Sequence, residues 1–98
     1  MGISLTSYAR ADICASKSAL EAVKAKDGNE KATKGIAAYH AQQAIEKILK
    51  FEIYKVDPDI SPRKMYTHKI YDLHFSVGLD SIEKALRLAE KWLGEIEP

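Results

Sequence analysis

A histidine, an amide and an amine lie close together along one long segment with helical character. At about 100° per residue in an α-helix, His40, Gln43 and Lys47 fall within roughly 60° of one another, on the shoulder of an apolar band. Such a set could hold a phosphate group or the edge of a nucleobase, because it combines donors, acceptors and a positive charge. The same residues could instead be satisfied polar groups that tie helices, or two subunits, together. A separate polar strip of the same helix holds Gln42, Glu46 and Lys50.

Other kinds of chemistry have little support in the sequence. The three histidines are widely spaced, and neither a Cys-x-x-Cys nor a His-Glu-x-x-His pattern occurs, so we expect no metal site. A glycine-rich phosphate loop is also missing, which excludes ordinary P-loop and Rossmann chemistry. We therefore expect no cofactor.

The composition is that of one globular domain over residues 1–98. The chain has 15 Lys and Arg against 14 Asp and Glu, a net charge of +1, and 46% hydrophobic residues. This balance argues against a protein that binds polyanions by bulk attraction. The charge is uneven, because residues 1–55 carry a net +3 and residues 56–98 a net −2. Any anion site must therefore be local.

Several features predict a cytoplasmic protein that does not enter a membrane. The N-terminal residues lack the basic start and apolar run of a signal peptide. No uninterrupted apolar stretch approaches the roughly 20 residues that cross a bilayer. Cys14 is the single cysteine, which excludes an internal disulfide, and we expect it to be a small packed residue.

Apolar periodicity and breaking residues predict an all-α fold of four helices. The predicted helices span approximately residues 7–26, 30–54, 67–77 and 80–95. Gly28 lies just beyond the first predicted helix, where a glycine commonly ends a helix. The second helix has an apolar band wider than one stripe, from Ile36 to Phe51, which favours a central position, and Gly35 could permit a close helix approach. Short connections favour antiparallel neighbours, so we predict an up-and-down antiparallel four-helix bundle.

The second predicted helix resembles the signature helix of HEPN domains, the higher-eukaryote and prokaryote nucleotide-binding family. The family pattern is aromatic-His-Ala-Gln-Gln-Ala-x-Glu-Lys-x-Leu-Lys, and the matching string is Tyr39-His40-Ala41-Gln42-Gln43-Ala44-Ile45-Glu46-Lys47-Ile48-Leu49-Lys50. A Thr-His-x-Leu-like element of the family is similar to residues 67–70. Residues 8–12 and 85–92 resemble the first and last helices of the family, and its helical bundle agrees with the fold predicted above.

The resemblance implies a prokaryotic, cytoplasmic, usually homodimeric module that binds nucleotide or RNA. Its binding residues would be His40, Gln43 and Lys47, and its partner would be a minimal nucleotidyltransferase in a toxin–antitoxin-type system. HEPN ribonucleases carry an Arg-x(4–6)-His motif, which Arg63 and His68 satisfy. The first alternative is thus a metal-independent ribonuclease toxin, with His68 as general base or acid and Arg63 stabilising charge on the scissile phosphate.

Two less specific interpretations stay open. His68 could cap or dock the third predicted helix while Arg63 is solvated. The whole chain could be a non-catalytic dimerisation or interaction domain, with His40 and Gln43 as polar groups of an interface.

Overall fold

The described part of the chain is helical, with three helices. A computed structural model describes residues 5–26, 29–61, 63–64 and 79–96. Helix α1 spans Leu5–Lys24, α2 spans Glu30–Val56 and α3 spans Leu79–Ile96. The all-α class and three of the predicted helices are confirmed to within about two residues at each end, the usual uncertainty of helix ends. The third predicted helix, residues 67–77, lies outside the described residues, so the four-helix bundle stays a prediction.

Gly28, which the sequence places after the first helix, lies outside the described residues. Helix α1 stops at Lys24, and Lys26 after it has a left-handed backbone, at φ 56°. The Lys26 N–H donates to the carbonyl of Val23 at 3.0 Å, which satisfies one of the last carbonyls of the helix. Asn29 then caps α2, because its Oδ1 accepts from the N–H of Ala32 at 3.1 Å.

Contacts between side chains give the directions of the helices. Asp12 and Ser16 of α1 contact progressively earlier residues of α2, so these two helices are antiparallel. Lys17 and Lys24 likewise pair with progressively earlier residues of α3, which is therefore also antiparallel to α1. Helices α2 and α3 consequently run in the same direction, and residues from the C-terminal half of each line one cavity. The connection over residues 57–78 thus begins and ends at opposite ends of the bundle.

The core lies where the apolar faces of the three helices meet. Its largest fully buried apolar side chains are Ile48 and Ile82, at 1% and 0% exposure. Each contributes about 1.5–3 kcal/mol by leaving water. The smaller members are alanines, which let the helices approach closely. Within the described ranges, the buried members of the core are Ala9, Ile13, Ala19, Leu20, Ala37, Ala41, Ala44, Ile45, Ile48, Ile82, Ala85, Leu86, Ala89 and Leu93.

Helix α2 packs against both neighbours, as its wide apolar band predicts, and most extensively against α1. Two details of the prediction are wrong. Ile36 is 52% exposed, because it lies on the side of α2 that faces away from the buried alanines. Gly35 is exposed, and a Cβ built there meets nothing within 4 Å, so no close helix approach uses it.

Candidate functional site

Asp12 joins two of the predicted binding residues. His40 and Lys47 are seven residues apart, nearly two turns, so they lie on one side of α2, opposite Asp12 of α1. The carboxylate of Asp12 lies between them. Its Oδ1 is 2.8 Å from His40 Nδ1, and its Oδ2 accepts from Lys47 Nζ at 2.5 Å. Each carboxylate oxygen thus has its own partner from α2.

Most of the surface of each of these three side chains is buried. Exposed fractions are 13% for Asp12, 30% for His40 and 22% for Lys47. Water screens such a cluster less than it screens ion pairs on an open surface. The contact at Nδ1 also orients the imidazole. In the neutral ring, an N–H at Nδ1 donates to Asp12 and leaves Nε2 as the acceptor nitrogen.

Gln43 extends the cluster along α2 to a buried carboxylate. Its Oε1 accepts from Lys47 Nζ at 3.4 Å, and its Nε2 donates to Glu46 Oε2 at 3.4 Å. Gln42 Nε2 donates to the other oxygen of Glu46 at 3.2 Å. Glu46 is only 5% exposed. The two polar strips that the sequence separates are therefore joined, because Gln43 and Gln42 both reach the carboxylate of Glu46.

The charges of this cluster limit what it can bind. We define the α2 cluster as Asp12, His40, Gln43, Glu46 and Lys47. With neutral His40 its formal charge is −1, from two carboxylates and one amine. Lys47 is already paired with Asp12. Bulk attraction for phosphate is therefore weak at this cluster, and recognition by directed hydrogen bonds is the chemistry that its groups favour.

The cluster has an aromatic neighbour. The ring centroid of Tyr39 is 5.2 Å from that of His40, with 77° between the two ring planes. Tyr39 is 58% exposed. An open aromatic ring therefore lies at the border of the α2 cluster.

His40, Gln43 and Lys47 are thus brought together, while their role in binding stays a prediction. Sequence reasoning missed Asp12 and the burial of Glu46. Asp12 had one signal: it directly precedes Ile13, at the edge of the apolar face of α1. A carboxylate at such an edge lies within reach of a cation on a neighbouring helix.

The second predicted pair is described only in part. Arg63 is exposed, and the N–H of Lys64 beside it donates to Ser61 Oγ at 3.2 Å. His68 lies outside the described residues. The catalytic pairing of Arg63 with His68 stays a prediction. Loss of RNA cleavage in His68→Ala would support a catalytic role for His68.

Other surfaces contribute little to the site. Cys14 is exposed, so the expectation that it packs is wrong; it points away from the buried side of α1. Among the described residues, no cluster of three or more His, Cys, Asp or Glu side chains could hold a metal ion. Within the same ranges, no helix is sufficiently long and apolar to cross a bilayer.

Comparisons with known proteins add no family to this description. The chain matches no protein-family model, no curated protein and no solved structure.

Proposed function

We propose that this chain is a HEPN-like module that binds a nucleotide or RNA at the α2 cluster. One observation carries the proposal: Asp12 holds His40 through Nδ1, beside Lys47 and Gln43, in a partly exposed position. Groups fixed in this way lose little side-chain freedom when a ligand binds. The resemblance of residues 39–50 to the HEPN signature helix supplies the class of ligand.

The charge pattern favours one part of the nucleotide over another. The charge of Lys47 is paired with that of Asp12, and the amide of Gln43 lies between Lys47 and Glu46. Imidazole and amide groups suit the edges of bases and the hydroxyls of ribose, which carry both donors and acceptors. We therefore propose contacts to the base and ribose, with phosphate as the lesser contribution.

Titration of the purified protein with mononucleotides and short single-stranded RNAs tests this proposal. Lys47→Met should weaken binding, because it removes a donor and releases both Gln43 and Asp12. Lys84→Met is the matched control, since Lys84 is exposed on α3. Thermal unfolding of both variants separates loss of binding from loss of fold. Equal affinities in the two variants, or no binding by the wild type, would refute the site.

The proposed partner is a minimal nucleotidyltransferase, with the pair acting as toxin and antitoxin and the HEPN-like chain as a homodimer. Co-expression of this chain with a nucleotidyltransferase encoded beside it tests the pairing. Retention of both chains on size-exclusion chromatography, at the mass of a complex, supports it. Elution of the two chains as separate species would contradict it.

A second candidate function is an interaction domain that binds no nucleotide. It is favoured by the internal pairing of the cluster, because Asp12 already satisfies both His40 Nδ1 and Lys47 Nζ. In this case Asp12, His40 and Lys47 tie α1 to α2, and the titrations above yield no binding by any variant.

A further inference from the structure

Tyr39 belongs to an apolar patch that lies beside the α2 cluster. Tyr39 is 58% exposed, and Ile36, about one helical turn earlier, is 52% exposed. Residues three apart are neighbours on a helix surface, so these two side chains form one patch open to water. The Tyr39 ring also contacts the His40 ring, with 5.2 Å between centroids. His40 is therefore the border between the apolar patch and the polar cluster.

The position of the Tyr39 ring is linked to that of Asp12 through His40. Asp12 fixes the imidazole by the 2.8 Å contact at Nδ1. The imidazole meets the Tyr39 ring at 77°, an edge-to-face arrangement that aromatic pairs favour. A ring supported on one side and open on the other is a preorganised surface, so it loses little freedom when a flat group stacks on it.

We propose that Tyr39 stacks on an unpaired nucleobase while His40, beside it, contacts the polar groups of the same nucleotide. The inference rests on the proposed function and names the ligand more closely: a base with an open face, in a free nucleotide or in single-stranded RNA. Every base has a π-face, so stacking needs neither net charge nor a particular sequence. This suits a cluster whose single lysine is already paired with Asp12. Bases inside a duplex offer no such face.

Tyr39→Ala and Tyr39→Phe test the stacking directly. Binding is measured by anisotropy of a labelled short single-stranded RNA and by calorimetry with AMP. Tyr39→Ala should weaken binding about tenfold, the loss expected for one stacked base. Tyr39→Phe should keep most of the affinity because it retains the ring. Tyr54→Ala is the matched control: Tyr54 is 37% exposed on the same helix, and it lies about 22 Å further along the axis.

Two further probes separate stacking from phosphate contact and the free nucleotide from RNA. Ribose 5-phosphate, which has no base, should bind the wild type more weakly than AMP, and the labelled RNA should lose affinity when it is annealed to its complement. Preference for AMP over the RNA would identify the free nucleotide as the source of the base, and the reverse preference would identify RNA.

The outcomes distinguish this inference from the function on which it rests. If the wild type binds AMP or RNA and Tyr39→Ala binds as tightly as Tyr54→Ala, only the stacking is refuted. Equal affinity for ribose 5-phosphate and AMP would refute it as well. If the wild type binds no nucleotide or RNA, the proposed function fails and the stacking fails with it.

Discussion

Helix α1 is joined to its two neighbours by polar contacts of different kinds. Towards α2 it uses Asp12, whose side chain is 13% exposed, and Ser16, whose hydroxyl donates to the carbonyl of Ala37 at 2.8 Å in a buried position. Towards α3 it uses lysines 17 and 24, whose side chains are 54% and 52% exposed and which bind Glu90 and Glu83. The polar groups of the first interface are mostly buried, while those of the second are largely in contact with water.

This difference in exposure predicts which polar contacts contribute most to the free energy of unfolding. An exposed ion pair exchanges one set of water contacts for a contact of similar strength, so it contributes little. A donor or acceptor that is mostly buried regains few contacts with water when its partner is removed, so the loss of its partner costs more. We therefore expect the α1–α2 contacts of Asp12 and Ser16 to contribute more to stability than the α1–α3 ion pairs of Lys17 and Lys24.

Asp12→Ala should give the largest effect. Removal of the carboxylate takes the partner from His40 Nδ1 and leaves Lys47 Nζ with its longer contact to Gln43 Oε1 at 3.4 Å. We expect the free energy of unfolding to fall by about 2 kcal/mol. The partial exposure of both side chains keeps the loss below that of a fully buried pair. Urea denaturation measures it, with the exposed Asp59→Ala as control. Equal stability of the two variants would mean that the cluster contributes no more than a surface charge.

Ser16→Ala should give the next largest effect. Ser16 is completely buried and its hydroxyl crosses to the backbone of α2. Loss of this hydrogen bond should cost about 1 kcal/mol. The same urea denaturation applies, and Ser18→Ala is the matched control because Ser18 is exposed on α1. A loss no greater than that of Ser18→Ala would show that the interhelical hydroxyl is dispensable.

Glu90→Gln should have a small effect at the α1–α3 interface. The Lys17–Glu90 pair, at 2.8 Å, has side chains that are 54% and 45% exposed. We expect a loss below about 0.5 kcal/mol, and salt should reduce it further. A double-mutant cycle with Lys17→Met isolates the pairwise contribution. A coupling as large as the cost of Asp12→Ala would overturn the contrast between the two interfaces.

The Lys24–Glu83 pair should also contribute little, because the Lys24 side chain is 52% exposed, and its contribution should depend on pH. The hydrogen bond and the charge of Glu83 raise the pKa of Lys24 above its ordinary value of 10.5. A raised pKa means that the stabilising contribution is fully present below 10.5 and is lost as the pH rises through the pKa of the folded state. NMR titration of Lys24 should therefore give a higher pKa in the wild type than in Glu83→Gln. Identical titration curves would indicate that the pair does not form in solution.

Much of the fold could be predicted from the sequence because helices are local. Apolar residues at helical spacing predicted α1, α2 and α3 to within about two residues, and the wide apolar band of α2 correctly predicted that this helix packs against both neighbours. The prediction failed at the edge of the apolar band of α2. Ile36 belongs to that band by its spacing but is 52% exposed, because the packing of the neighbouring helices decides how much of the band is covered.

The candidate site also has a part that the sequence determines and a part that only the packing of the helices decides. That His40, Gln43 and Lys47 share one side of α2 follows from helical periodicity, so the sequence alone determines it. That Asp12 meets two of them, that Glu46 is buried, and that Tyr39 lies open beside His40 were decided by the tertiary structure. The physical reason is that periodicity relates residues within one helix, whereas contacts between helices depend on their relative rotation and axial offset, which only the packing of the core sets.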